Sequence, residues 1–77
     1  MDGAQVGAFG ALPTYRIYHV GSGGRLRVGE TFVAEGDREA VARAHGQLVP
    51  GQPAELWEWG RPIGRFTRDH EFIPDTR

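Results

Sequence analysis

Cysteine is absent from this chain of 77 residues, so no disulfide can brace it, and thiolate zinc sites and thiol nucleophiles are excluded. Lysine is absent too. All nine basic residues are arginine, which reads first as a compositional bias and second as a supply of guanidinium groups suited to carboxylate or phosphate contacts. Ser22 is the only serine. No apolar run approaches the ~20 residues that a membrane helix needs. The leading MDGAQVGAFGALPT carries neither the basic stretch nor the hydrophobic run of a signal peptide, so a cytoplasmic protein with no membrane association is expected. A broad basic surface is missing as well: nine basic against ten acidic residues leave a formal charge of −1, which disfavours nucleic acid as a general partner.

What is present fits one small domain over residues 14–67, with a flexible arm over 1–13 and a polar C-terminal tail over 68–77. A single core in a chain below ~70–80 residues is marginal. With no disulfide to help, self-association is the expected remedy, either through an exposed strand edge or through a tryptophan-bearing face.

The arm is rich in glycine and alanine, shows no period, and has Phe9 and Leu12 as its large apolar groups. Thr14–Val20, TYRIYHV, is dense in aromatic and β-branched residues and reads as a first strand, with Tyr15, Ile17 and His19 alternating against Arg16, Tyr18 and Val20. Gly21-Ser22-Gly23-Gly24 is then a turn. A phosphate cradle would require a helix after it, whereas Arg25 to Ala34, RLRVGETFVA, reads as a second strand. Simple alternation puts Leu26, Val28, Phe32 and Ala34 on one face and Arg25, Arg27 and Thr31 on the other. A bulge at Gly29 would switch that alternation and free Glu30 to solvent.

Asp37 is placed as the N-cap of a helix that continues through REAVARAH, with Ala40, Val41, Ala44 and Leu48 as its buried stripe and Gly46 as its C-cap. Pro50-Gly51-Gln52-Pro53 breaks the chain before a hairpin over Ala54 to Thr67, AELWEWGRPIGRFT. Two registers compete there. A Trp59-Gly60 loop sets Glu58 opposite Arg61 and Leu56 opposite Ile63; a Gly60-Arg61 loop gives the better turn residue and sets Trp59 opposite Pro62. In either, Leu56 and Ile63 share one face while Trp57, Gly64 and Phe66 share the other. The expected fold is therefore α+β: an antiparallel sheet of about four strands in the order β-β-α-β-β, with one helix packed on one face.

The run Tyr15-Arg16-Ile17-Tyr18, the glycine turn, Asp37 opening an alanine-rich helix, and Glu55-Leu56-Trp57 with Arg61 and Ile63 resemble a group of short uncharacterised bacterial proteins. The resemblance spans Tyr15 to Phe66 and implies the same strand-strand-helix-strand-strand unit, but no activity. The outline is also similar to antitoxins of the HicB kind, which bind a toxin partner and often DNA. The proline-aspartate-leucine-proline-glycine segment typical of those proteins and an appended DNA-binding motif are both missing here.

Catalytic signals are sparse. Ser22 with His19 lacks a third, orienting residue, and His19, His45 and His70 lie on three elements without ligand spacing. Asp69-His70-Glu71 alternates sides on an extended chain. No catalytic residue, cofactor site or metal site is assigned. The constellation that stands out is Trp57, Trp59, Arg61, Arg65 and Phe66, read as a surface for a second copy or another protein partner; stacking of a single nucleic-acid strand or a HicB-like regulatory role is the alternative.

Overall fold

A computed structural model of the chain describes residues 12–76. The arm expected over 1–13 lies outside these residues apart from Leu12 and Pro13. Five strands form one sheet: β1 (Thr14–Val20), β2 (Leu26–Val33), β3 (Ala54–Glu58), β4 (Arg61–Phe66) and β5 (Phe72–Pro74). Among the described residues one α-helix, α1 (Asp37–His45), connects β2 to β3, and a short 3-10 turn, Ser22–Gly24, joins β1 to β2. The strand order is β2-β1-β3-β4-β5 and every neighbouring pair is antiparallel. Since β2 and β3 both pair with β1, they run the same way, and α1 carries the chain across β1 to join them.

The core lies between α1 and one face of the sheet. Tyr15 and Ile17 of β1, Ala54 and Leu56 of β3, and Ile63 and Phe66 of β4 are buried there against Ala40 and Ala44 of the helix. Phe32, Val41, Leu48 and Phe72 close its margins. The small alanines bring the helix close, so that four large side chains, Tyr15, Phe66, Ile17 and Leu56, lie under it with almost no exposure. Each such burial is worth ~1.5–3 kcal/mol.

The helix keeps its expected stripe but not its expected cap. Gly36, in extended conformation, precedes the first turn, and Asp37 is already helical. The carboxylate of Asp37 is turned toward the sheet instead. Glu39 supplies the local N-terminal contact, accepting from the Glu35 N–H at 2.6 Å. At the other end Gly46 closes the helix, and Leu48 follows in a loosely bonded turn, its N–H 3.4 Å from the His45 carbonyl.

Two irregularities set the faces of the sheet. Between β1 and β2, Arg16 pairs with Thr31 but Tyr18 pairs with Val28, so β2 carries one extra residue around Gly29 and Glu30. A side chain on Gly29 would meet the Ile17 carbonyl at 2.8 Å and the His19 ring at 2.9 Å. The bulge exposes Glu30, as anticipated. It also corrects the simple alternation: Leu26 and Val28 lie on the face away from the helix while Phe32 lies toward it.

The second irregularity is in the hairpin. Its loop is Trp59-Gly60 with Glu58 opposite Arg61, the first of the two registers. Trp57 then pairs with Pro62 and Leu56 with Gly64, leaving Ile63 as an extra residue. This corrects the expected face sharing. Past Ile63 the alternation shifts, so Phe66 is buried beside Leu56 while Trp57 faces the opposite way.

The tail expected over 68–77 contains the fifth strand. The loop before it is held by the Thr67 N–H on the Glu71 carbonyl at 2.9 Å and by the Glu71 N–H on Thr67 Oγ1 at 3.1 Å. Phe72, Ile73 and Pro74 pair with Phe66, Arg65 and Gly64. Gly64 permits this approach: a Cβ there would lie 2.5 Å from both the Ile73 carbonyl and the Phe72 ring.

Candidate functional site

The helix covers one face of the sheet, and among the described residues nothing covers the other. The open face can be read from the register. β1 contributes Arg16, Tyr18 and Val20; β2 contributes Leu26, Val28, Thr31 and Val33; β3 contributes Glu55 and Trp57; β4 contributes Pro62 and Arg65; and β5 contributes Ile73. Val28 is 64% exposed, and Leu26, Val33 and Ile73 are exposed as well. An apolar band with arginines beside it is unusual for a solvated sheet face and is the kind of patch that marks interaction sites.

At the centre of this face the Tyr18 and Trp57 rings meet edge to face, centroids 6.4 Å apart. The Trp57 indole N–H donates to Glu55 Oε1 at 3.0 Å, and Glu55 sits opposite Arg65 across the strands. The indole is thus held at its polar edge and braced at its side. Two shallow hollows flank the aromatic pair. One, about 280 Å³, lies among Trp57, Pro62, Arg65, Ile73 and Pro74; the other, about 230 Å³, lies among Thr14, Arg16, Tyr18, Thr31 and Trp59.

The structure separates the five residues singled out from sequence. Trp57 and Arg65 share the open face. Trp59 sits at the hairpin tip, 81% exposed, and reaches the rim of the second hollow. Phe66 belongs to the core, where it touches Phe72 with centroids 5.1 Å apart. Arg61 is engaged at the helix side of the sheet. Its guanidinium donates to both carboxylate oxygens of Asp37, at 2.8 and 3.0 Å, and to Glu58, while the Tyr15 hydroxyl donates to Asp37 at 2.9 Å.

This cluster ties the start of α1 to the hairpin tip, and its electrostatics follow from its partners. The Arg61 guanidinium, helped by the Tyr15 hydroxyl, holds the Asp37 carboxyl below its ordinary range against the opposing effect of burial. Burial, reinforced by the hydrogen bond to Asp37, pushes the Tyr15 phenol up to about 12. One guanidinium set between two carboxylates leaves the cluster net negative, with Arg61 already engaged.

Sequence reasoning missed Arg16, Tyr18, Val28 and Ile73 as members of the exposed face. Tyr18 and Arg16 were readable in principle, since they alternate with the core residues of β1; Ile73 was hidden because β5 was read as tail. The other candidates are dispersed. His19 Nδ1 is buried without a hydrogen-bond partner among the described residues, so it is not paired with Ser22. His45 and His70, far apart in sequence, meet ring to ring at 6.1 Å, with His70 Nε2 2.9 Å from the Val49 carbonyl. No group of three histidine or carboxylate side chains converges among the described residues. At the glycine turn the N–H groups of Gly21 and Gly24 bond to Arg25 and Gly21 carbonyls, and a strand follows. No helix among the described residues is long and apolar enough to cross a membrane. No family model, curated protein or solved structure matches the chain, in keeping with a resemblance that reaches no characterised family.

Proposed function

We propose that this chain is a small, non-enzymatic protein-interaction domain that docks a partner protein on the open face of its sheet. The observation that carries the reading is the one-sided cover: α1 closes one face, while the other presents the braced Tyr18–Trp57 pair within an exposed apolar band. Such a centre, aromatic and held in place, with arginines and a glutamate around it, has the composition of an interaction hot spot and its polar rim. The hollows beside it are shallow enough to accept single side chains of a partner.

A second reading rests on Arg16 and Arg65, which flank the aromatic pair in the manner of a platform for stacked bases. Glu55 lies between them on β3 and the Trp57 edge is already occupied, which favours a protein over a phosphate backbone. A HicB-like regulatory module would combine the two.

The test uses Trp57→Ala and Ile73→Asp, each first shown to keep a cooperative thermal transition. Both should lose a partner retained by the immobilised wild-type chain, and the partner should perturb the amide resonances of Tyr18, Trp57 and Arg65. Retention unchanged in both variants would overturn the reading. Quenching of tryptophan fluorescence by short oligonucleotides, weakening as salt rises, would replace it with the nucleic-acid one.

A further inference from the structure

We propose that the outer edge of β2 pairs antiparallel with β2 of a second copy of this chain, in the register that sets Arg27 of each copy opposite Glu30 of the other. This names the self-association that the docking reading leaves open, and it uses a different surface, so the two stand or fall separately.

The sheet has two edges and they are unequal. β5 is three residues long and ends in Pro74, which has no N–H to donate. β2 is eight residues long, contains no proline, and is exposed along most of its length. Its outer backbone groups therefore form the available pairing edge. A strand edge of this kind accepts any extended chain in principle, and two properties of β2 select a second copy.

The first is charge. Arg25 just precedes the strand, Arg27 stands near its start and Glu30 beyond its middle, all exposed, and none takes part in an ion pair or side-chain hydrogen bond among the described residues. An antiparallel copy reverses that polarity. Its basic half then lies along the acidic half of the first strand, whereas a parallel copy would set like charges side by side.

The second is the bulge. Because β2 carries an extra residue at Gly29–Glu30, Val28 and Thr31 are three positions apart yet both lie on the open face. A straight strand laid along this edge would have its side chains on the wrong face on one side of the bulge. A second β2 brings the same extra residue. With the two-fold axis between Val28 and Gly29, Leu26 opposes Thr31 on the open face and Arg25 opposes Phe32 on the helix face, and the central Val28–Gly29 pair alone is out of phase, at a residue with no side chain. The same register places Arg27 opposite Glu30, twice by symmetry. The bulge admits a short set of antiparallel registers of a second β2, the Arg27–Glu30 pairs select this one among them, and the result is a continuous ten-stranded sheet with both helices on one side.

Sedimentation equilibrium across the micromolar range tests this, with circular dichroism showing that each variant is folded. The wild-type chain should be a dimer. Arg27→Glu and Glu30→Arg should each raise the dissociation constant about tenfold or more, because two attractive pairs become two repulsive ones, and the double variant carrying both changes should recover the wild-type value. Trp57→Ala should leave the dimer intact, which separates this edge from the open face. A monomeric wild type, a dimer indifferent to the single reversals, or a double variant no better than the singles would each overturn the proposal.

Discussion

At the hairpin tip Trp59 adopts a φ of 54°, a region that costs a residue with a side chain ~1–2 kcal/mol and that glycine enters freely. Sequence reasoning saw this conflict and could not resolve it, since the favourable turn residue and the favourable cross-strand pairs called for different loops. The charged pair wins: Glu58 meets Arg61, and Arg61 in turn reaches Asp37, 24 positions away, while the expected Leu56–Ile63 pair gives way to Leu56 opposite Gly64. Trp59→Gly should therefore stabilise the fold by about 0.5–1 kcal/mol, the relief of strain less the extra flexibility of glycine in the unfolded chain. Urea denaturation reads it directly, and a destabilised variant would mean that Trp59 packs more than its exposure implies.

Asp37 illustrates what local pattern cannot reach. The helix start was legible, but the carboxylate serves residues 22 and 24 positions distant rather than its own first turn. Its depressed pKa has a pH signature. The unfolded carboxyl titrates near its ordinary 3.8 and the folded one lower, so the contribution is fully present above 3.8 and is lost as pH falls through the folded value. Urea midpoints should then fall in acid for the wild type, and the gap between wild type and Asp37→Asn should close over the same window. A gap constant from neutral pH into acid would refute the pairing. The raised phenol of Tyr15 acts at the other end: its contribution is present below 10 and is lost as pH rises toward about 12.

Among the elements, the two bulges were unequally visible. Gly29 interrupts a strand, and glycine there signals a bulge or a close backbone approach, so the release of Glu30 could be read in advance. Ile63 gives no such signal by itself. The flanking Pro62 and Gly64 carry it, and without them Phe66 falls on the wrong face. The strand β5 was the least legible element, because three residues with a proline have neither length nor alternation to mark them. What makes β5 a strand is the bare backbone at Gly64. A methyl group there has to displace the Ile73 carbonyl or the Phe72 ring, so Gly64→Ala should cost about 1–3 kcal/mol in chemical denaturation. Faster amide exchange at Phe72 and Ile73 than in β1 should accompany it, and an unperturbed β5 would show that β4 yields instead.

For the whole molecule, the marginal core was legible before the place of its exposed apolar residues was. Length implied a marginal core, and the hairpin pattern left Trp57 and Phe66 uncovered; the structure takes Phe66 into a core of nine buried residues and leaves Trp57 with Tyr18 on the face opposite α1. Topology explains why pattern alone could not place it. With β1 and β3 central, the exposed face is assembled from all five strands, and one of them lay in a segment that reads as tail.

Pro74 bears on how far such a molecule can grow. A sheet that offered both its edges could add copies without limit, each new strand templating the next, and would end as a fibre. Here one border is short and ends in a residue that donates no hydrogen bond, so the proposed joining at β2 would use the one long edge among the described residues. The assembly proposed at β2 would then be self-terminating: the unequal borders of the sheet would set its stoichiometry, and a rise in concentration would fill pairs rather than lengthen chains.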